Sequence, residues 1–351
     1  MVSVGTPRFY VNVMEWLYNV NSLTDSANLD MVLMNPSNIL TVSGDDWDGD
    51  NDVVWHPELT TPLSGLIGDK GFVAHLGHNY ADCELKVRKD QGTPYGTAIP
   101  LENIVNADIL SESIQPEYNG FSIYLADYSN QNVSRPRLRY DYVGDSGDPY
   151  NGLDVKVGSV ILGSYYDMPN APNLSLTMSL DYGSTREFST YNGSSMSNTM
   201  VSKCPKWGDF GAWELTKDYG TFINVADGHP SASRSGRRSW NLKFSQIDSS
   251  DLWGPNQMLS FIRDDISDGT DSDDYNDSTK NFNSNLTTDD NFFSQVWNKT
   301  LGMTLPMIMQ IDNTNNSPDQ FAIVKGVANS LKATQSSYNV YDISVSIEEA
   351  W

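Results

Sequence analysis

The chain has 351 residues and carries 22 Lys+Arg against 45 Asp+Glu, a formal net charge of −23. An acidic balance this large speaks against nucleic acid and anionic lipid as partners, because both recruit a basic face. An aromatic share of 11%, with 18 Tyr and 9 Trp, excludes a disordered chain, since such side chains supply enough apolar surface to build cores.

Three further classes fall away. The sequence holds no run of about 18 apolar residues, so no membrane insertion is expected. The opening Met1-Val2-Ser3-Val4-Gly5-Thr6-Pro7-Arg8 shows no charged stretch leading into an apolar one, so no signal peptide is expected. Cys83 and Cys204 are too few for a disulfide scaffold and are read as free thiols.

Along the chain the hydrophobic period is two. Phe9, Val11 and Val13 open with it, and Leu85 and Val87 follow among Glu84, Lys86 and Arg88. Phe121, Ile123 and Leu125 alternate with Ser122 and Tyr124. Leu174, Leu176, Met178, Leu180 and Tyr182 alternate with Ser175, Thr177, Ser179 and Asp181, which predicts a strand with one buried face. Trp240, Leu242 and Phe244 repeat the pattern, and Tyr341, Ile343, Val345 and Ile347 close with it. Two helices are expected. One lies near 249–264, with Ser249 or Ser250 as cap and Gly254-Pro255 interrupting it. The other spans about 290–301, capped by Asp289 or Asp290, with Phe292, Phe293, Val296, Trp297 and Leu301 on one apolar face and Gly302 at its end.

Many short alternating strands between Gly, Pro, Asn, Asp and Ser clusters predict a mainly β protein built of two antiparallel β-sandwich, jelly-roll-like domains. The boundary is expected at 143–152, which reads Val-Gly-Asp-Ser-Gly-Asp-Pro-Tyr-Asn-Gly. Residues 1–40 then form an N-terminal strand region able to pair with the C-terminal strands. Residues 41–145 form one sandwich, and 150–351 form a second β-rich domain. Residues 264–290 hold nine Asp and one Lys and are expected to be an exposed, mobile loop.

Asp46, Asp48, Asp50 and Asp52 place carboxylates at alternate positions, a spacing of oxygen ligands that suits Ca²⁺. An EF-hand loop started at Asp46 would need Gly at Asn51 and Glu at Pro57, so that motif is absent. A looser Ca²⁺ loop and a solvated turn both remain open. Trp47, Trp55, Tyr80 and Tyr118 neighbour polar loops and can stack on sugar rings, although most aromatic side chains in a sandwich are core. His75 and His78 fall on opposite sides of a strand, which disfavours a shared metal and favours structural roles. His229 precedes Pro230 in a Ser- and Arg-rich stretch and reads as surface. Arg234, Arg237 and Arg238 form a small basic patch that could dock an acidic neighbour. No nucleophile motif and no phosphate-cradling glycine motif appears.

Four stretches carry a resemblance. They are Pro7-Arg8-Phe9-Tyr10-Val11-Asn12, then Gly71 to Tyr80 with Cys83-Glu84-Leu85-Lys86-Val87, then Val157 to Gly163 with Met168-Pro169, and last Phe292 to Leu301 through Pro306 to Gln310 and Asp319 to Ile323 into the closing strand. As an ensemble they resemble phage tail proteins of the distal-tail, tail-tip or fibre type, with a discoidin-like jelly-roll module. The acidic stretch 264–290 departs from that form. The resemblance implies that His78 and Asn79 make a structural corner between strands. It implies a non-enzymatic virion component of a tail or baseplate, assembling with other tail proteins and with copies of itself, and needing no cofactor beyond the Ca²⁺ considered above. One alternative is a carbohydrate-binding adhesin that contacts host surface glycan. The other is a glycan-degrading tail enzyme, which would need two positioned carboxylates.

Overall fold

The computed structural model describes residues 5–20, 22–24, 29–34, 40–42, 53–55, 58–78, 85–89, 102–106, 120–129, 136–140, 155–173, 177–181, 185–199, 206–207, 210–211, 237–253, 289–316 and 320–350. In chain order these form β1 (Arg8–Asn12), α1 (Val13–Asn19), β2 (Leu23–Thr24), β3 (Leu40–Val42), β4 (Val53–Trp55), β5 (Glu58–Leu59), β6 (Gly71–His78), β7 (Leu85–Lys89), β8 (Glu102–Asn106), β9 (Gly120–Ala126) and β10 (Pro136–Tyr140). There follow β11 (Val155–Val157), β12 (Ser159–Asp167), β13 (Thr177–Asp181), β14 (Thr185–Ser189), β15 (Ser195–Thr199), β16 (Lys206–Trp207), β17 (Phe210–Gly211), β18 (Arg237–Asp248), α2 (Ser249–Leu252), β19 (Met307–Gln310), β20 (Phe321–Ser337) and β21 (Val340–Glu349).

Ten strands make one antiparallel sheet in the order β13-β18-β21-β20-β19-β1-β12-β6-β9-β8. The mainly β, antiparallel class expected from the alternation is therefore the class of the structure. The boundary expected at 143–152 lies outside the described residues, and the sheet takes strands from both sides of it. The terminal strands β1 and β21 share this sheet but do not pair, because β19 and β20 stand between them.

The middle of the sheet is buried on both faces. Tyr10, Phe72, Ala74, Ile123, Ile161, Ile308 and Ile323 cluster on one side. On the other, Val73, Tyr124, Val160 and Leu162 pack with Val13, Met14 and Leu17 of α1. That side continues through Phe9, Val11, Met307, Met309, Trp240, Leu242, Phe244, Val345 and Ile347, closed by Leu252, Phe292 and Val296. Neighbouring residues of β1, β12, β19 and β20 thus enter opposite cores, which is why those strands read as unbroken apolar runs. Fully burying a side chain such as Phe9 or Ile161 contributes about 1.5–3 kcal/mol. In β21 the alternation is clean, with Tyr341, Ile343, Val345 and Ile347 buried.

Local chemistry sets several boundaries. The expected opening strand through Val13 stops at Asn12, whose Oδ1 accepts from the backbone N–H of Glu15 and starts α1. The helix near 249 is capped by Asp248, which accepts from the N–H of Ser250, rather than by either serine. Only Ser249–Leu252 of it falls within the described residues, ending at an extended Trp253. The helix near 290–301 is π-helical over Phe293–Asn298, and at its start Asn291 Oδ1, rather than Asp289 or Asp290, accepts from the N–H of Ser294. Leu301 is not on its buried face: it is exposed, in the left-handed region at φ 51°, where the chain turns toward Gly302 at φ 73°.

Candidate functional site

Most of the expected site residues fall outside the described residues. This holds for Asp46, Asp48, Asp50, Asp52, Trp47, Tyr80, Tyr118, Asn79, His229, Arg234 and both cysteines. Trp55 ends β4 and stands opposite Leu138 of β10. His78 ends β6 opposite Gly120, just past a register shift that follows Leu76. Among the described residues no group of three or more His, Cys, Asp or Glu is placed to hold a metal. His75 is buried within β6, and burial pushes its imidazole down to about 4, so it stands in the core as a neutral ring. The basic patch differs from the expectation at Arg238. Its guanidinium pairs with Glu349 at 2.5 Å and its Nε donates to the same carboxylate at 2.6 Å, so it ties β18 to β21 instead of offering a charge to a neighbour.

Three polar constellations, the first half-buried and the other two buried, carry no pattern in the sequence. In the first, Arg8 of β1 donates to both oxygens of Asp167 at 2.7 and 2.9 Å and lies 4.3 Å from the ring centre of Tyr165. Asn313 bonds the same carboxylate and Thr6, while the Tyr10 hydroxyl donates to Gln310 at 2.7 Å. Burial works hardest against the guanidinium charge, but the hydrogen bond to Asp167, the Tyr10 interactions and the Asp167 charge together outweigh it and hold Arg8 above its ordinary value. Burial likewise pushes the Tyr10 phenol up to about 12.

In the second, the Glu15 carboxylate accepts from the N–H of Met34 at 3.4 Å and from Asn12 Nδ2 at 3.3 Å, while Asn12 Nδ2 also donates to Val32 O at 2.8 Å. The segment 29–34 is thereby docked on the start of α1. Burial pushes Glu15 up to about 7, against those hydrogen bonds. In the third, the Lys299 amine is buried among Gln295, Ser164 and the carbonyl of Leu66, and burial pushes it down to about 7. All three constellations join distant elements and have their polar groups satisfied internally. Their chemistry is cohesion.

The surface offers a different feature. Strands β14 and β15 form a two-stranded hairpin with Phe188 directly opposite Met196. The intervening turn is closed by hydrogen bonds from Thr190 N to Ser194 O at 2.7 Å and from Gly193 N to Thr190 O at 2.9 Å. Gly193 sits at φ 77°, a left-handed position that favours glycine. Residues lie alternately on the two faces, so the Phe188–Met196 and Arg186–Asn198 pairs share one, and Thr185, Glu187, Ser189, Ser195, Ser197 and Thr199 share the other. Phe188 is 54% exposed, Met196 64%, and Tyr191 at the tip 106%. The Asn192-Gly193 dipeptide between two short runs is the local signal that marks this hairpin in the sequence. Met178 on the edge strand β13 is 60% exposed, contrary to the buried face that its alternation predicts, because β13 closes the sheet order at that end.

No family model, no curated protein and no solved structure matches this chain.

Proposed function

We propose that this chain is a non-enzymatic structural component of a phage tail, in the distal tail, tail tip or baseplate, where it assembles with other tail proteins and with copies of itself. The resemblance of the four stretches named above to tail proteins supports this reading. So does one structural observation, which carries it: alongside a well-cored ten-stranded antiparallel sheet, the separate β14–β15 hairpin leaves Phe188, Tyr191 and Met196 exposed. Exposed aromatic and methionine side chains of this kind are suited to contact with another macromolecule. Residues 41–145 would supply the host-facing module, and Asp46, Asp48, Asp50 and Asp52 its Ca²⁺ loop.

The test is immunogold electron microscopy of particles produced from the genome that encodes the chain. Label at the tail supports the reading, and particles with intact tails that lack the chain overturn it. Calcium-dependent retention of the purified chain on host glycans would move the assignment to the adhesin class.

A further inference from the structure

We propose that residues 29–34 form a strap whose closure is set by the ionisation of Glu15, opening more readily as pH rises. The strap is a single 3₁₀ turn, Leu29–Val32, followed by Leu33 and Met34. It takes no part in the sheet ladders. Side chains hold its backbone instead. Asn12 Nδ2 donates to Val32 O at 2.8 Å, Ser159 Oγ donates to Met31 O at 3.0 Å, and the N–H of Met34 donates to Glu15 Oε2 at 3.4 Å. Among the described residues its one other backbone bond, from Leu33 N to Asp30 O at 3.1 Å, is internal to it. A segment tied by three side-chain bonds opens at lower cost than a strand inside a ten-stranded sheet.

Closing the strap takes Glu15 out of water. The apolar anchors are Met31 and Val32, which cluster with Val13, Met14 and Leu17 of α1, and Met34, which joins the cluster of Tyr10 and Phe72. With these in place the Glu15 side chain is buried, and its carboxylate keeps two long bonds, 3.4 Å from Met34 N and 3.3 Å from Asn12 Nδ2. Bonds of that length repay little of the cost of desolvating a full charge.

Among the described residues no cation stands beside Glu15 to offset that cost. Asp30, the one ionisable residue of the strap, is exposed, as is Tyr18 on α1 itself. Strand β12 meets α1 through Val160 and Leu162 and carries its ionisable side chains in its last three residues, with Asp167 paired to Arg8. Tyr124 and Tyr128 lie in the same core, and the Tyr128 hydroxyl donates to Phe72 O. The balance at Glu15 is one of burial against the hydrogen bonds from Met34 and Asn12, and burial wins, pushing the carboxyl up to about 7.

In the open strap the carboxyl is hydrated and returns toward its ordinary 4.5. The closed form therefore holds a proton that the open form releases. Between 4.5 and about 7 the closed form loses its advantage as pH rises, and above that window the loss is complete. Opening uncovers Met31, Val32 and Met34, so the device keeps these side chains covered on the acidic side and bares them more often on the alkaline side. It stands independently of the tail reading.

The experiment is amide hydrogen exchange of the full chain between pH 5 and pH 8.5, read by mass spectrometry on peptides spanning 29–34. The intrinsic exchange rate is divided out, and each pH is repeated in low concentrations of urea. The opening constant of the strap is expected to rise on the order of fiftyfold across this range, with a shallow urea dependence. Peptides from β12 are expected to exchange through a rarer, steeply urea-dependent unfolding. E15Q is expected to flatten the pH profile of the strap. S159A removes a tie that does not titrate, so it is expected to raise the opening constant at every pH and to leave the rise with pH intact. An opening constant that stays level with pH in the wild-type chain, or a rise that survives in E15Q, overturns the proposal. So does exchange of 29–34 and β12 together, at one opening constant and one urea slope, which would make Glu15 a contributor to global stability alone.

Discussion

The amine of Lys299 donates to Gln295 Oε1 at 2.7 Å, and both side chains are buried. The other bonds of that amine go to Leu66 O at 3.0 Å and to Ser164 Oγ at 3.2 Å, and none of these acceptors is a carboxylate. A buried ammonium without a counter-charge is costly, while a neutral amine can keep the same neighbours by accepting from the serine hydroxyl. Burial therefore pushes Lys299 from 10.5 down to about 7. Between these values the unfolded chain binds the extra proton, so stability rises with pH across that window and the full penalty stands below it. Its ceiling is about 5 kcal/mol. Urea unfolding at pH 7 and pH 10 is expected to show the rise in the wild-type chain and a flattened difference in K299M, whatever the absolute stability of the variant.

Glu15 titrates with the opposite consequence. Its carboxyl lies at about 7 in the fold against an ordinary 4.5, chiefly through burial. Between those values the folded chain binds more protons than the unfolded one. Stability falls as pH rises through that window, and the penalty remains above it. Glutamine keeps an acceptor for Met34 N and Asn12 Nδ2 but carries no charge to desolvate. E15Q is expected to stabilise the chain by about 2 kcal/mol at pH 8, and the gain should vanish at pH 4. Thermal melts of both proteins at the two pH values check this, and equal gains at both would refute it.

The contact between β1 and β12 depends on a missing side chain. A Cβ on Gly163 would lie 1.9 Å from the Val11 carbonyl oxygen and 2.7 Å from the Phe72 ring. The oxygen belongs to backbone in the centre of the ten-stranded sheet, so it cannot swing aside as a side-chain end would. G163A is expected to cost about 3 kcal/mol or more, or to prevent folding. As a control, alanine at Gly65, where the nearest atom is the Thr61 methyl at 3.5 Å, is expected to change the denaturation midpoint little.

How much of this was legible in the residues depends on the distance of the cause. The alternation of β21 and of β18 up to Phe244 reports one covered face, and both strands are where that pattern puts them. In β18 the period slips at Gln246, which lies at φ 60°, and Ile247 returns to the core. Helix α1 is missed because Val11 and Val13 continue the strand period, although Asn12 and Glu15 spell its cap. Met178 shows the complementary limit: a period identifies an apolar face but not what lies over it. Lys299 reads as a solvated helix residue, because its burial comes from a loop 233 positions away. The Ca²⁺ and sugar-stacking candidates, apart from Trp55, lie outside the described residues, so their spacing remains an expectation.

The turn that follows the π-helical segment offers a stabilising change. Leu301, Gly302 and Met303 have φ values of 51°, 73° and 63°, three consecutive residues in the left-handed region. Met303 is buried and its N–H is bonded to Thr300 Oγ1, so its backbone is repaid by packing. Gly302 meets no steric penalty and donates to Trp297 O at 2.8 Å. Leu301 donates its N–H to Asn298 O at 3.1 Å but lacks the packing of Met303. Its side chain is 41% exposed, and a leucine in this region costs roughly 1–2 kcal/mol. Asparagine tolerates the conformation and loses little apolar contact at so open a position. L301N is expected to raise stability by about 0.5–1 kcal/mol, whereas M303N, at the buried neighbour, is expected to lower it by more. Chemical denaturation of the two variants separates backbone strain from packing, and a loss of stability in L301N would show that the leucine side chain matters more than its φ angle.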